Sequence, residues 1–233
     1  MKNKIIPALF ALPLLATSAS AAITLSGDGV IGPIVTLTGD QLRQQDLTIT
    51  DAGDELTYDS SSAVIGGDGG GAFVTTIDIS AGSFIGTGRD YFLGNGNGDG
   101  NIFNLSGGSV LFEQGLGIAR DDSTALVTIS GGSFTVDGAL TFDIASGGGV
   151  DTADGSIDFT TGSTGTLTVA GLTETDYEAL YTAGDLTFAG DNSATFADVF
   201  EVSGNTLSLV VPEPSSTALL GLGGLALILR RRK

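Results

Sequence analysis

The residues with the clearest potential for chemistry form a run of asparagine, aspartate and glycine at positions 95–100. Asn95, Asn97 and Asp99 alternate with glycine, as oxygen ligands do in calcium-binding loops. A complete loop of that kind also needs a bidentate glutamate at its twelfth position and a helix on each side. Ser106 stands at that position and strands are predicted around it. An exposed Gly/Asn turn is therefore the preferred interpretation, with weak calcium binding as the alternative and no other cofactor expected.

Two further loops, Arg89-Asp90 and Arg120-Asp121-Asp122, place an arginine beside carboxylates. In polysaccharide lyases built on a β-helix, carboxylates bind calcium and an arginine or lysine serves as the base. Surface ion pairs that relieve acidic repulsion explain these two loops as well, and we prefer that interpretation. No catalytic residue is assigned, and we expect the protein not to be an enzyme.

Composition narrows the chemistry further. The 233 residues include no histidine, cysteine or tryptophan. The commonest general base, thiol chemistry and disulfides are therefore absent, and so is the favoured stacking platform for sugar rings. Between residues 22 and 211, the three arginines Arg43, Arg89 and Arg120 face 26 carboxylates, a formal charge of −23. Such a chain repels nucleic acid, and it repels anionic polysaccharide unless divalent cations bridge the two.

A sequence repeat supplies the elements that must position these loops. Residues 77–84 recur at 103–110 and 127–134, with a degenerate fourth copy at 157–164. The equivalent residues Ile79, Leu105, Ile129 and Phe159 are spaced by 26, 24 and 30 positions. A second strand is predicted between copies, at 91–93, 116–118 and 140–142. Self-similarity of this length predicts stacked strand–turn–strand units.

The predicted fold is therefore all-β, a parallel β-helix or β-solenoid over residues 22–171, with a β-sandwich as the alternative. Ahead of the repeats, strands are predicted at 23–25, 34–37 and 47–50, where apolar residues alternate with threonine. Gly-Gly corners supply positive φ angles at the bends. The residues expected to form inward-facing apolar columns are Ile77, Ile79, Phe84, Val127, Ile129 and Phe134.

The repeats resemble the glycine-rich repeats of autotransporter-like passenger domains. The resemblance implies a right-handed parallel β-helix and no particular activity.

Residues 172–211 are predicted to cap the solenoid and protect its open edge from aggregation. Thr175 and Glu178 have the spacing of a capping box and Gly184 suits the C-terminal end, which predicts a helix at 176–183. Its apolar face comprises Tyr177, Leu180 and Tyr181. Closing strands are predicted at 186–188, 199–202 and 207–210.

Residues 1–21 have the pattern of a secretory signal peptide. Lys2 and Lys4 precede an apolar stretch at 5–16, and the small residues Ala19-Ser20-Ala21 follow. Cleavage is expected before Ala22, so the secretion machinery is a predicted partner.

The C-terminal residues 212–233 have three parts. Pro212-Glu213-Pro214 is stiff and extended, an apolar run follows, and Arg230-Arg231-Arg232-Lys233 would stop translocation on the cytoplasmic side. In a bilayer the apolar run is stable only as a helix. A transmembrane helix over 215–229 would be about 22 Å long, short of the roughly 30 Å hydrocarbon core, which predicts a temporary stop. An ordinary C-terminal anchor is the alternative.

This arrangement closely resembles the PEP-CTERM sorting signal of Gram-negative bacteria that make exopolysaccharide. The matching residues are Val211-Pro212-Glu213-Pro214, the Gly-rich run at 218–225 and the arginine cluster. The resemblance implies recognition by a membrane-embedded exosortase-type protease. It also implies an exported protein that pauses in the inner membrane before reaching the cell surface or extracellular matrix. We expect a structural protein associated with exopolysaccharide. The alternatives are a β-helix carbohydrate-active enzyme and a calcium-dependent adhesin.

Overall fold

The computed structural model describes residues 23–25, 34–38, 42, 46–59, 64–68, 74–96, 100–144 and 153–210. Within these ranges the chain is almost entirely β-structure. The strands are β1 (Ile23–Leu25), β2 (Ile34–Thr38), β3 (Leu47–Ile49), β4 (Glu55–Asp59), β5 (Val64–Asp68), β6 (Thr76–Ile79), β7 (Ser83–Gly86), β8 (Tyr91–Asn95), β9 (Asn101–Leu105), β10 (Ser109–Phe112), β11 (Leu116–Arg120), β12 (Thr124–Ile129), β13 (Ser133–Val136), β14 (Leu140–Ile144), β15 (Asp154–Phe159), β16 (Thr166–Val169), β17 (Leu186–Phe188), β18 (Phe200–Ser203) and β19 (Thr206–Leu209). The helices are α1 (Glu174–Ala183) and α2 (Phe196–Val199).

The strands stack into a parallel β-solenoid of about five turns with three sheets. Sheet I has the order β1-β3-β6-β9-β12-β15-β17, sheet II the order β18-β19-β16-β13-β10-β7-β4-β2, and sheet III the order β14-β11-β8-β5. Each complete coil gives one strand to each sheet, as β6, β7 and β8 do. Among the described strands, the only antiparallel pairs are β16–β19 and β18–β19. The predicted solenoid is confirmed, because a β-sandwich is built from antiparallel sheets.

The register of sheet I confirms the sequence repeat. Ile79 pairs with Leu105, Leu105 with Ile129, and Ile129 with Phe159. The same column extends to Ile49 before the repeats and to Phe188 after them. The spacing variation of 24 to 30 residues therefore falls in the loops, while the strands keep one apolar residue of each coil in line.

The core is a stack of aromatic and aliphatic side chains between the three sheets. Phe84, Phe103, Phe112 and Phe134 are all buried, and neighbouring ring centroids lie 5.6 to 6.1 Å apart. All six residues predicted to face inward are buried. Each buried phenylalanine contributes about 1.5–3 kcal/mol through removal of apolar surface from water. This continuous apolar core therefore stabilises the fold, which has no disulfides.

The fourth repeat copy corrects the sequence alignment. Sequence similarity places Ser163 opposite Ser133, whereas Ser133 pairs with Thr166 and Phe134 pairs with Leu167. The corner between β15 and β16 contains residues 160–165, where the preceding coil uses 130–132. The extra residues close a local turn in which Ser163 N donates to Thr160 O at 3.0 Å. The Gly-Ser dipeptide at 162–163 imitates the earlier corners, but pairing with β13 begins only at Thr166.

The cap helix also begins earlier than predicted. Thr173, and not Thr175, is the N-cap of α1. Asp176 Oδ2 accepts hydrogen bonds from Thr173 N at 2.8 Å and from Thr173 Oγ1 at 2.7 Å. Asp176 therefore makes the capping-box contact that was predicted for Glu178. The helix ends at Gly184 with a φ of 96°, as predicted.

The cap continues the solenoid more directly than the sequence suggested. Strand β17 adds to sheet I in parallel beside β15, while β18 and β19 close sheet II. Tyr177 and Tyr181 of α1 are buried, and Leu180 packs against the core at partial exposure. Val199 belongs to α2, so the strand predicted at 199–202 begins at Phe200.

Candidate functional site

Arg120 ends β11 and is held by contacts within the chain. Its Nε lies 3.2 Å from Asp121 Oδ2, and its guanidinium carbon lies 4.7 Å from the centroid of the Phe92 ring. Its backbone N donates to Ser123 Oγ at 2.9 Å, and its carbonyl accepts from Gly96 N at 2.9 Å. Three residues of this corner have positive φ angles: Ala119, Asp121 and Asp122. The ion pair is what the surface interpretation of this loop predicted, and the cation–π contact is an additional feature of the structure.

Asp90, in the other Arg/Asp loop, links two coils. Its Oδ1 accepts a hydrogen bond from Gly115 N at 2.7 Å. Gly115 O in turn accepts from Tyr91 N at 2.9 Å. Asp90 therefore has a structural role at this corner, because its carboxylate accepts a hydrogen bond from the backbone of the next coil.

The two Arg/Asp loops lie at opposite ends of the strands of sheet III. Asp90 precedes β8, whose Tyr91 pairs with Leu116 at the start of β11. Arg120 lies at the end of β11, roughly 13 Å further along the strand at about 3.3 Å per residue. The structure does not bring the two loops together, as a shared site with an arginine and paired carboxylates would require.

The candidate calcium loop is only partly described. Asn95 ends β8, Gly96 has a φ of 74°, and Gly100 N donates to Thr124 Oγ1 at 2.6 Å. Asn97 and Asp99 lie outside the described residues. Within the described ranges, no group of three or more histidine, cysteine, aspartate or glutamate side chains is close enough to hold an ion. Calcium binding by the loop stays a prediction.

One fully buried polar side chain near this loop, that of Asn101, has a structural role that the sequence did not predict. Asn101 is fully buried at the start of β9, and its Nδ2 donates to Thr124 O at 3.3 Å. Gly66 and Gly94 both have positive φ, and a Cβ on either would lie 2.7 Å from the Asn101 amide atoms. Asn101 therefore fills the space that two glycine corners leave. Its neighbours come from different coils, so no local motif could have identified it.

Two acidic positions are electrostatically unfavourable. Burial, followed by repulsion from Asp143 and Asp154, raises the pKa of Asp185. Asp54 is 1% exposed, and among the described residues its carboxylate oxygens have no hydrogen-bond partner. Desolvation of a carboxylate without compensation costs free energy, so Asp54 is expected to destabilise the fold.

The outward faces of sheets I and II differ in charge. On sheet I, one outward column contains Asp78 and Asp158, which accept hydrogen bonds from Asn104 Nδ2 and Thr187 Oγ1, each at 2.8 Å. On sheet II, five adjacent strands present no charged side chain outward. We call these ten residues the hydroxyl face: Ser83, Ile85, Ser109, Leu111, Ser133, Thr135, Thr166, Thr168, Thr206 and Ser208. The two strands that flank these five in sheet II, β4 and β18, carry Glu55 and Glu201.

The fold and these corners define an acidic parallel β-solenoid protein. The PEP-CTERM protein-sorting motif matches residues 210–233, which confirms the resemblance. No curated protein and no solved structure matches the chain. The motif identifies an exported protein that is sorted through its C-terminal signal by an exosortase, a membrane protease.

The targeting residues themselves lie outside the described residues. They are Ala19, Ala21 and Ala22 at the signal cleavage site, Pro212, Glu213 and Pro214 in the sorting motif, and Arg230, Arg231, Arg232 and Lys233 in the basic tail. The signal peptide and the transmembrane helix at 215–229 stay predictions. Neither helix of the described chain has the length and apolar character needed to cross a membrane.

Proposed function

We propose that this protein is a non-enzymatic structural component of the cell surface or extracellular matrix, associated with exopolysaccharide. The observation that carries the proposal is the sorting motif at residues 210–233 behind a continuous β-solenoid. A solenoid gives each coil only its neighbours to pack against, so its outer faces form an extended surface with little need for a pocket.

The use of the loop residues supports a structural role. Arg120 is engaged by Asp121 and Phe92, and Asp90 is engaged by the backbone of the next coil. Residues that hold successive coils together contribute to the stability of the stack. A general base and its partners would instead have to converge on one substrate position.

Measurement of the intact mass of the protein from the native host tests the sorting part of the proposal. Protein recovered from the medium and the polysaccharide matrix is expected to have lost residues 1–21 and the residues after Pro212-Glu213-Pro214. A membrane-bound form that keeps residues 215–233, with none released, would contradict processing and favour an ordinary anchor.

The structural role is tested by fractionation. The protein is expected to sediment with exopolysaccharide from wild-type cells and to stay soluble in medium from a mutant that makes no exopolysaccharide. Equal solubility in both strains would overturn association with the matrix. Release of reducing sugar ends from host polysaccharide by the pure protein would overturn the non-enzymatic assignment.

A further inference from the structure

We propose that the hydroxyl face of sheet II binds an uncharged polysaccharide chain that runs along the solenoid axis. This inference rests on the proposed association with exopolysaccharide and names the surface and the class of polymer. It is argued from the distribution of charge, the area of the face and the chemistry of its side chains.

The distribution of charge is the first argument. The exported chain carries 26 carboxylates and three arginines. Nevertheless, no side chain that β7, β10, β13, β16 and β19 direct outward in the hydroxyl face is charged. The surrounding carboxylates repel uronic-acid and other anionic polymers. A neutral polymer is not repelled, and on β7, β10, β13 and β16 it meets no outward carboxylate that must be desolvated; Glu201 contacts the face at Ser208, on its edge strand.

The area of the face argues against a second copy of this chain as the occupant. Five strands about 4.8 Å apart, each with two outward residues about 7 Å apart, cover roughly 300 Å² including the side chains. A stable protein–protein interface buries about 800 Å² on each partner. Two copies would also bring together two highly acidic molecules. A narrow strip suits one extended polymer chain better.

The chemistry of the side chains matches a sugar chain. Ser109, Ser133 and Thr166 form one outward column of hydroxyl groups in register, and Thr135 and Thr168 continue the second outward column from the apolar Leu111. Hydroxyl groups donate and accept hydrogen bonds, while Ile85 and Leu111 offer apolar surface to the C–H groups of sugar rings. Each contact exchanges with water and contributes little, so the affinity must come from repetition along the polymer.

The test is native gel electrophoresis of the full chain, in non-ionic detergent, through gels that contain a soluble polysaccharide. The probes are hydroxyethyl cellulose and dextran, which are uncharged, and alginate, a uronic-acid polymer. The wild-type protein is expected to be retarded by at least one neutral probe, but not by alginate without calcium.

Two variants place a charge in the middle of the face: Ser109→Asp and Thr135→Asp. Both side chains point outward between buried neighbours, so the core is unchanged. Retardation by the neutral probe is expected to weaken about tenfold or more, because binding would desolvate an unpaired charge. Thr141→Asp, on the exposed side of β14 in sheet III, is the matched control and should bind as the wild type does. Unchanged melting temperatures establish that all three variants are folded.

The proposal is overturned if neither neutral probe retards the wild-type protein. It is also overturned if Thr141→Asp weakens binding as much as the face variants do, or if the two face variants are retarded as strongly as the wild type. These results are separable from failure of the proposed function. If the face variants still sediment with the host matrix, the inference about the face is wrong and matrix association stands. If the wild-type protein does not sediment with that matrix, the proposed function itself fails.

Discussion

Gly132 lies directly against the backbone of Gly108 in the preceding coil: a Cβ added to Gly132 would be 2.6 Å from the Gly108 carbonyl oxygen. Gly108 has the same relationship to Gly82, at 2.4 Å, and all three glycines have positive φ angles between 68° and 74°. The last glycine of each of these corners is therefore required for two reasons, the left-handed backbone and the close approach of successive coils.

Gly132→Ala is accordingly expected to destabilise the fold by roughly 2 to 4 kcal/mol, the sum of backbone strain and overpacking against a carbonyl that cannot move away. Gly162→Ala is the matched control, since Gly162 has a φ of 75° but nothing within 4 Å of the added Cβ. It should cost only the strain of the left-handed backbone, about 1 to 2 kcal/mol. Urea unfolding of the two variants measures the difference, and equal losses would show that the coils have room to separate.

Asp176→Ala is expected to lower the melting temperature at neutral pH, whereas Glu178→Ala should change it little. The hydrogen bonds from the Thr173 side chain and backbone hold the pKa of Asp176 below its ordinary value of 3.8. A lowered pKa gives stability that is present above the unfolded-state pKa and is lost as the pH falls through the folded-state pKa.

The difference between wild type and Asp176→Ala should therefore begin to shrink below about pH 4, near the unfolded-state pKa, and disappear only below the lower folded-state pKa. Thermal melts of both variants between pH 3 and pH 7 measure it. A larger effect of Glu178→Ala would return the N-cap to Thr175.

Asp54→Asn is expected to stabilise the protein by about 1 to 3 kcal/mol, because it removes a buried carboxylate that lacks compensation. Asp51→Asn, at the partly exposed start of the same turn, is the control and should lie within about 0.5 kcal/mol of wild type. Denaturant midpoints of the three proteins provide the comparison. Destabilisation by Asp54→Asn would mean that the carboxylate has an ionic role.

Calcium at millimolar concentration is expected to leave the melting temperature unchanged if the 95–100 loop is a plain turn. A binding loop would instead raise the melting temperature by mass action. A rise that a chelator reverses, that magnesium does not reproduce and that Asp99→Asn removes would assign a calcium site to Asn95, Asn97 and Asp99.

The architecture could be predicted from the sequence because the same pattern occurs in successive coils. The apolar alternation that aligns Ile79, Leu105 and Ile129 is the one that the sheet register preserves. The predicted element boundaries were wrong where a similar sequence lies close to the true corner or N-cap. Gly162-Ser163 copies the corner sequence within a longer corner, and Thr175 resembles the N-cap residue that lies two positions earlier.

The arrangement of side chains between coils could not be predicted in this way. Asn101 meets Gly66 and Gly94 only because the coils stack, and the two Arg/Asp loops proved to lie at opposite strand ends. The hydroxyl face likewise depends on which residues of each strand point outward in register, so it becomes visible only when the strands are placed side by side.

The parallel order of sheet I fixes how far the molecule extends. The chain advances one strand spacing per coil, so the seven strands from β1 to β17 span about 29 Å at about 4.8 Å per step. The sorting motif begins where β19 has ended, at the last coil, and β1 is at the far end of the stack. In a molecule tethered through its C terminus, the number of repeats therefore sets its reach. Duplication of one repeat would add about 4.8 Å to that reach and leave both ends as they are.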